Sequence, residues 1–358
     1  MNKLVFALGV TALSPLALAK PVIATSIKPV SMIVSAIAGD RAEIQQIVSS
    51  TASPHDFALR PSDIKKIHNA DTVVWVGESL EHFLEKPLEN AGKEDSSIEW
   101  MALNGVILQD RSKKKNYDDH DEHDDHGHEG HDHDTHDHAE HDDHGHEGHD
   151  HDEHDHEEHD DHDHEGHDHD AHDHEEHDDH GHEGHSHTGI DPHLWLLPDN
   201  ALVLARAVTQ KMMWLDADHA AYYQGNFVKF EKGLHAKDAE IRQALHEVSD
   251  VPYVVFHDAY RYFEGHYGLH NAGAVTVSPE RKPGAKKVAE IRRDIEANKV
   301  QCVFSEPQFS PAIVETLLDG TEVKSSVLDP IGSQIKIDEN AYFAFLDSLK
   351  GQFLSCLK

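Results

Sequence analysis

The sequence predicts an α/β protein with two lobes, each containing a mainly parallel sheet flanked by helices. Short apolar segments of strand length alternate with helical segments before and after a histidine-rich insertion. Such alternation is typical of parallel sheets covered by helices. Between the two alternating regions lies one unusually long helical segment, residues 218–248, which would span roughly 45 Å. We expect this helix to join the lobes.

The first alternating region, residues 20–217, is predicted to form the N-terminal lobe. Two of its helices begin near Pro29 and Pro61, whose fixed φ suits the first helical turn. An apolar run that ends at Gly77 indicates a buried strand. The expected strands are 22–26, 43–48, 72–76 and 98–103, and the expected helices are 29–38, 61–68, 80–89 and 198–215.

The second alternating region, residues 249–358, is predicted to form the C-terminal lobe. The long helical segment precedes this lobe, and Asp218 is expected to cap its N-terminus. Gly225 and Gly233 lower the helix propensity of the segment. The expected strands are 253–256, 274–277, 302–305 and 323–328, and the expected helices are 258–267, 285–297, 311–318 and 340–357.

Residues 117–188 form an acidic tract that holds 27 of the 37 histidines. The sequence HDDHGHEGHDHD at residues 123–134 recurs at 141–152 and, with one change, at 159–170, a repeat of 18 residues. The tract has too few apolar residues to bury a core, so we expect it to be disordered. Imidazole and carboxylate groups together bind divalent transition metals, which favours metal binding over a purely solvating linker.

The charge of -37 arises mainly in this tract, because residues 118–187 carry 32 Asp and Glu and no Lys or Arg. The remaining chain is only mildly acidic, so nucleic acid is not an expected partner. Residues 1–19 have a basic Lys3, an apolar stretch and small residues at 17 and 19, the pattern of a secretory signal cleaved before Lys20. We therefore expect an exported, soluble protein that does not insert into the membrane.

The two cysteines, Cys302 and Cys356, both follow the export signal. In an oxidising compartment a single disulfide is the natural pairing, and it would tie the last helix to an inner strand. A cysteine-ligated metal is the alternative, but few other ligand residues lie nearby in the sequence.

Four candidate metal ligands follow predicted strands or the tract: His55, His193, His257 and Asp329. Ligands in open α/β sheets bind beyond the carboxyl ends of the strands. Each residue also has a structural interpretation, since His55 could be a loop residue and His257 could cap the next helix. His193 could end the tract, and Asp329 before a proline could start a turn. If all four converge, a metal would lie in the cleft between the lobes.

These residues lie in motifs through which the chain resembles a known family. It is similar to the periplasmic zinc-binding component of bacterial high-affinity zinc-uptake ABC transporters, the ZnuA-like branch of the metal-binding solute-binding proteins. The resemblance runs from residue 22 to residue 358. The motifs, in the expected order, are SIKPV, SPHDFALRPSD, VVWVGE, HLWL, FHDAY, EPQF and LDPIG.

The resemblance implies zinc ligands at His55, His193 and His257, with a carboxylate such as Asp329 or a water as the fourth. It also implies two α/β lobes joined by one long helix, a histidine-rich loop, and a disulfide between Cys302 and Cys356. The implied function is capture of Zn²⁺ with high affinity in the periplasm and delivery to an inner-membrane ABC permease, by a monomer that is not an enzyme.

Histidine at position 257 favours zinc, because manganese-binding relatives carry a carboxylate there and oxygen ligands suit manganese. Asp56, Asp258 and Glu306 are candidates to orient the imidazoles. Two other functions are weighed against transport. The protein could be a periplasmic metal buffer whose main store is the tract, or a zinc hydrolase, which would need an open coordination position and a nearby base.

Overall fold

The first of two sheets contains four parallel strands in the order β2-β1-β3-β4. The structure is a computed structural model that describes residues 20–111, 189–276 and 283–358. The central strands β1 and β3 are almost wholly buried, as their apolar sequences predict. The elements are β1 (Val22–Thr25), α1 (Lys28–Ala38), β2 (Glu43–Gln46), α2 (Pro61–Asn69), β3 (Thr72–Trp75), α3 (Glu78–Glu81), α4 (Glu85–Asn90) and β4 (Ile98–Glu99).

The sequence prediction was wrong in detail over residues 80–103. The expected helix at 80–89 is split into α3 and α4 by a 3₁₀ turn at His82–Leu84. Pro87 explains the break, because it lacks an N–H and its ring clashes with the carbonyl four residues earlier. The expected strand at 98–103 is only two residues long, because the chain turns after Glu99, where the Leu103 N–H donates to the Trp100 carbonyl at 3.1 Å.

Two helices that pack against each other follow the insertion, α5 (Pro198–Leu215) and the long α6 (Ala220–Leu245). Short 3₁₀ turns at Ala217–His219 and His246–Val248 extend α6 at both ends. Asp218 lies within the first of these turns and does not cap the helix, contrary to the prediction. At 26 residues, α6 is about 39 Å long.

The second sheet also contains four parallel strands, in the order β6-β5-β7-β8. Its elements match the predicted second alternating region, although the strand expected at 274–277 begins at Asn271 and its last residue, Val277, lies outside the described residues. The elements are β5 (Tyr253–His257), α7 (Arg261–Tyr267), β6 (Asn271–Thr276), α8 (Ala285–Ala297), β7 (Cys302–Ser305), α9 (Ala312–Leu318), β8 (Lys324–Val327) and α10 (Ala341–Leu357).

One apolar core extends across both sheets. The helix α6 packs against α1 and α5, which belong to the half with the first sheet, and against α10, which belongs to the half with the second sheet. Phe230, Leu234 and Ile241 of α6 are buried in the same cluster as residues of both sheets. A smaller cluster covers the other face of the second sheet, beneath α8 and α9. The two predicted parallel sheets flanked by helices are thus present. The division of the chain into lobes that end at residue 217 and begin at residue 249 stays a prediction.

A disulfide joins Cys302, the first residue of β7, to Cys356 of α10, with a Cα–Cα distance of 6.0 Å. This confirms the predicted pairing and fastens the last helix to an inner strand. None of the helices in the described ranges is long and apolar enough to cross a membrane. The predictions of a signal peptide at 1–19 and of a disordered tract at 117–188 fall on residues outside those ranges.

Candidate metal centre

Three histidines that are distant in the sequence meet at one point between the two sheets. The Nε2 atom of His193 lies 3.1 Å from Nε2 of His55 and 3.1 Å from Nε2 of His257. One nitrogen from each of the three rings falls within a mutual distance of 4.8 Å. His193 and His257 are buried, and His55 is partly exposed. The structure therefore brings together the three histidines that the sequence analysis singled out.

Each histidine is held by a short, well-defined element. His55 lies in a 3₁₀ turn, Pro54–Asp56, and its backbone N–H donates to the hydroxyl of Ser53. His193 precedes the 3₁₀ turn Leu194–Leu196, and His257 is the last residue of β5. The HLWL motif is tied to the opposite sheet, because Trp195 Nε1 donates to the carbonyl of Pro330 at 2.7 Å. Rigid backbone on both sides thus sets the spacing of the rings.

Two buried carboxylates orient two of the rings. Nδ1 of His193 contacts Oδ1 of Asp191 at 2.6 Å, and Nδ1 of His257 contacts Oε1 of Glu306 at 2.7 Å. Because a carboxylate accepts, each Nδ1 carries the proton and each Nε2 keeps its lone pair. The lone pairs of at least two rings therefore face the common centre, which is the arrangement that a metal ion requires.

Of the three carboxylates proposed from sequence to orient the rings, Glu306 is confirmed. Asp258 instead accepts from Arg261 Nε at 2.7 Å, and Asp56 is exposed. Sequence analysis missed Asp191, although a signal was available. In the Asp-Pro-His order, the side chain of an Asp can accept a hydrogen bond from the backbone N–H two residues later, as it does in tight turns. Here the carboxylate of Asp191 accepts from the His193 N–H at 3.1 Å.

Burial keeps His55 and His193 neutral by lowering the pKa of each ring. Desolvation, followed by the neighbouring rings and Arg111, holds the pKa of His55 well below 6.5. Desolvation, followed by His257 and Arg111, does the same for the pKa of His193. Burial also raises the pKa of Asp191 to about 6. Neutral imidazole is the form that binds a metal ion, so both rings are ready to bind at neutral pH without releasing a proton.

Asp329, the predicted fourth ligand, is not among the residues that converge. Its Oδ2 accepts from the backbone N–H and the hydroxyl of Ser333, at 2.6 and 2.7 Å. Its Oδ1 accepts from Gln308 Nε2 at 3.1 Å and from the Ile331 N–H at 3.2 Å. Four donors thus occupy this carboxylate, and the geometry gives no support to a direct role in binding metal.

The loop that contains Asp329 is also anchored to the first sheet. Lys28, from the SIKPV motif, donates through Nζ to the carbonyl of Ser333 at 2.7 Å. Gly332 has a φ of +63°, and a Cβ at this position would come within 3.1 Å of Phe345 and Met32. The LDPIG motif therefore specifies a tight loop that connects the two halves of the molecule, and Asp329 stabilises it.

The cavity beside the histidines is small, about 10 Å³. Its walls include the apolar side chains of Trp195, Phe309 and Ile331 as well as the three imidazoles. A cavity of this size holds about one water molecule. The space enclosed beside the rings therefore suits a single ion.

Comparisons with known proteins identify the family to which the chain is similar. The family described as zinc-uptake complex component A, periplasmic, matches residues 23–353. The high-affinity zinc uptake system protein ZnuA of Haemophilus influenzae is 42% identical over 355 residues, 98% of this chain and 98% of that protein. The protein of the same name from Yersinia pestis is 34% identical over 346 residues, 96% of this chain and 94% of that protein.

Solved structures show the same fold. The crystal structure of a ZnuA has a TM-score of 0.66 at 17% identity, covering 95% of this chain and 100% of that chain. The periplasmic zinc binding protein TroA of Treponema pallidum has a TM-score of 0.67 at 15% identity, covering 95% of this chain and 99% of that chain. The fold and the extended sequence match together show that this chain belongs to the family of the periplasmic component A of the zinc-uptake complex.

Proposed function

We propose that this protein captures Zn²⁺ in the periplasm with His55, His193 and His257 and delivers it to an ABC permease. The observation that carries the proposal is the convergence of the three Nε2 atoms. In a tetrahedral site with Zn–N distances of 2.0 to 2.1 Å, neighbouring nitrogens lie roughly 3.3 to 3.4 Å apart. The two distances of 3.1 Å are close to this spacing. A small rearrangement of the rings is enough to admit the ion.

The donor set favours zinc over manganese as the cargo. Three neutral imidazoles suit zinc, copper and nickel, whereas manganese prefers oxygen donors. Copper and nickel bind imidazole at least as strongly, so availability and a tetrahedral geometry must provide the selectivity. The names of the relatives, which are zinc uptake proteins, support the same choice.

We propose that a water molecule rather than Asp329 takes the fourth position on zinc. The carboxylate of Asp329 would have to give up four hydrogen bonds in order to bind the ion, and its loop would lose its main internal support. An Asp329→Asn variant should therefore lose more thermal stability than zinc affinity. A loss of zinc affinity of 100-fold or more at unchanged stability would return Asp329 to the ligand set.

The remaining parts of the proposal concern location and partners. We propose that residues 1–19 direct export and are removed before Lys20, and that the mature protein is a monomer that docks on an inner-membrane permease. Residues 20–217 and 249–358 would act as two lobes joined by α6. N-terminal sequencing of the protein isolated from the periplasm tests the cleavage site.

Removal of single histidines tests the metal site. We expect His55→Ala, His193→Ala and His257→Ala each to weaken zinc binding by more than about 100-fold, which exceeds the loss typical of a group that only orients a ligand. Zinc should be buffered by a competing chelator, so that the weaker sites of the tract stay empty. His235→Ala is the matched control, because His235 is exposed on α6. Unchanged affinity in any of the three variants would remove that residue from the site.

Further experiments on this protein test two alternative functions, a metal buffer and a zinc hydrolase. A variant lacking residues 117–188 should keep one tight zinc site and support growth on limiting zinc. If it instead loses uptake while His193→Ala keeps it, the tract would be the main store and the buffer function would be favoured. A zinc hydrolase needs space for a substrate at the ion, and the cavity of about 10 Å³ opposes it. Turnover of an ester substrate by the zinc-loaded protein would revive that function.

A further inference from the structure

The two segments that flank the insertion pair with each other close to the metal centre. Residues 109–111 and 189–191, called the neck below, form a short antiparallel connection through a bridge between Asp110 and Ile190. The N–H of Arg111 donates to the carbonyl of Gly189 at 2.7 Å, and the N–H of Asp191 donates to the carbonyl of Gln109 at 2.8 Å. The neck therefore ends at Asp191, the residue that orients His193.

A hydroxyl from the second half of the molecule holds the neck in place. Tyr262 of α7 is fully buried. Its hydroxyl accepts from the backbone N–H of Gln109 at 2.9 Å and donates to the backbone carbonyl of Asp191 at 2.9 Å. One hydroxyl thus bridges both strands of the neck, using a donor on one and an acceptor on the other. The tyrosine ring is anchored on the helix that follows β5, the strand that carries His257.

From these contacts we infer that Tyr262 is a positioning residue for zinc binding, which acts through Asp191 to set the orientation of His193. The contacts form a continuous chain: the hydroxyl fixes the backbone of Asp191, and the Asp191 carboxylate accepts from both the N–H and Nδ1 of His193. Because Asp191 and His193 are only two residues apart, a displacement of the Asp191 backbone turns the imidazole away from the other two rings. This inference rests on the proposed function, since it assigns His193 as a ligand.

The chain of contacts couples the halves of the molecule at the site itself. Asp191 and His193 are connected to the first sheet through the neck and α5, whereas Tyr262 belongs to the second sheet's helices. Movement of one sheet relative to the other would therefore change the Tyr262–Asp191 distance together with the spacing of the ligands. Through Tyr262, the orientation of His193 depends on the position of the second sheet, which carries His257.

The test compares two tyrosine hydroxyls in the full-length protein. Tyr262→Phe removes the hydroxyl that holds the neck. Tyr253→Phe removes another buried hydroxyl, which donates to Oε1 of Glu264 over a distance of 3.1 Å and makes no bond to the three histidines. We expect Tyr262→Phe to weaken zinc binding by about 10-fold, the lower limit for outer partners of a metal ligand. Tyr253→Phe should change zinc affinity by less than twofold, although both variants lose stability. Equal zinc affinities for both variants would overturn the inference.

A double-mutant cycle shows whether Tyr262 acts through Asp191. If it does, the effect of Tyr262→Phe on zinc affinity should vanish in an Asp191→Ala background, because the connection to His193 is already broken. The same 10-fold loss in both backgrounds would contradict the proposed route. Failure of the proposed function is recognised separately, since His193→Ala would then leave zinc affinity unchanged.

A spectroscopic signature distinguishes positioning from general destabilisation. The Nδ1 protons of His193 and His257 are buried in short bonds to carboxylates, so in ¹⁵N-histidine protein each should give a slowly exchanging, downfield proton resonance. His193→Ala assigns one of them by its disappearance. Tyr262→Phe should shift the His193 resonance and leave that of His257 in place, whereas Tyr253→Phe should shift neither. An unmoved His193 resonance in Tyr262→Phe would overturn the inference.

Discussion

Replacing Glu306 by Gln separates the charge of a ligand-orienting group from its shape. Oε1 of Glu306 lies 2.7 Å from Nδ1 of His257, and only 1% of its side chain is exposed. Oε2 has no hydrogen-bond partner among the described residues. A glutamine can therefore keep the bond to Nδ1 through its carbonyl oxygen while its NH₂ group takes the place of Oε2. The change removes the negative charge and leaves the bond to the ring.

We expect Glu306→Gln to weaken zinc binding by 10- to 100-fold, as loss of an outer-shell partner typically does. This corresponds to about 1.4 to 2.7 kcal/mol of binding free energy. The physical reason is that a carboxylate makes the imidazole a stronger donor and stabilises the positive charge of the ion across a buried path. The measurement is competition with a chelator of known affinity at pH 7.5, with free zinc low enough to leave the tract empty.

Asp258→Asn is the matched control for this experiment. Asp258 adjoins His257 in sequence, but its carboxylate pairs with Arg261. Removing its charge should change zinc affinity by less than about threefold, because the group makes no bond to a ligand ring and is partly solvated. The reasoning is refuted if Glu306→Gln binds zinc within twofold of the unmodified protein, or if Asp258→Asn loses as much affinity.

Three further predictions concern stability and pH. Cys302→Ser with Cys356→Ser should lower the free energy of unfolding by about 4 kcal/mol for a loop of 54 residues in the chain-entropy treatment, as urea titration of the metal-free protein measures. Because the pKa values of His55 and His193 are lowered by folding, these two groups destabilise the metal-free protein as the pH falls through 6.5, whereas Asp191 and Glu81, whose pKa values burial raises to about 6 and about 7, act in the opposite direction. Urea titrations from pH 8 to 5 should therefore show that His55→Ala gains stability relative to the unmodified protein as the pH falls, and the absence of a relative gain would contradict this. Zinc at 1,000 times its dissociation constant should stabilise the protein by about 4 kcal/mol, and calorimetry should show a shift of the melting temperature that disappears in His193→Ala.

Much of the fold could be predicted because each strand and most helices have a local cause. Pro29 and Pro61 mark helix starts that the structure keeps within one residue. The exceptions arose at the ends of elements. β4 is short because the chain turns at Trp100, where the Leu103 N–H donates to the Trp100 carbonyl, and the apolar pattern of residues 98–103 hides this turn. The ends of α6 are 3₁₀ turns, and helix boundaries are the part of a prediction that sequence constrains least.

The candidate site was predictable in its ligands but not in its supports. His55, His193 and His257 lie in motifs whose order along the chain resembles a family, so their convergence could be expected. The hydroxyl of Tyr262 donates to the backbone carbonyl of Asp191, 71 positions away in the chain, and such a contact leaves no periodic or compositional pattern. The carboxylate of Asp191 acts on His193, two residues on, and its local signal in the Asp-Pro-His order was missed. Asp329 was assigned from its motif, whereas its four hydrogen bonds favour a role within its own loop.

The neck has a consequence for how this chain tolerates changes in length. The segment 112–188 is joined in the chain to Arg111 and Gly189, whose backbones are hydrogen-bonded to each other. The free energy of joining the ends of a long segment grows with the logarithm of its length, so one more or one fewer 18-residue repeat changes it by roughly 0.2 kcal/mol. Gain or loss of repeats is thus almost neutral for the folding of the body. By this estimate, the number of histidines in the segment 112–188 can change with little effect on the stability of the metal centre.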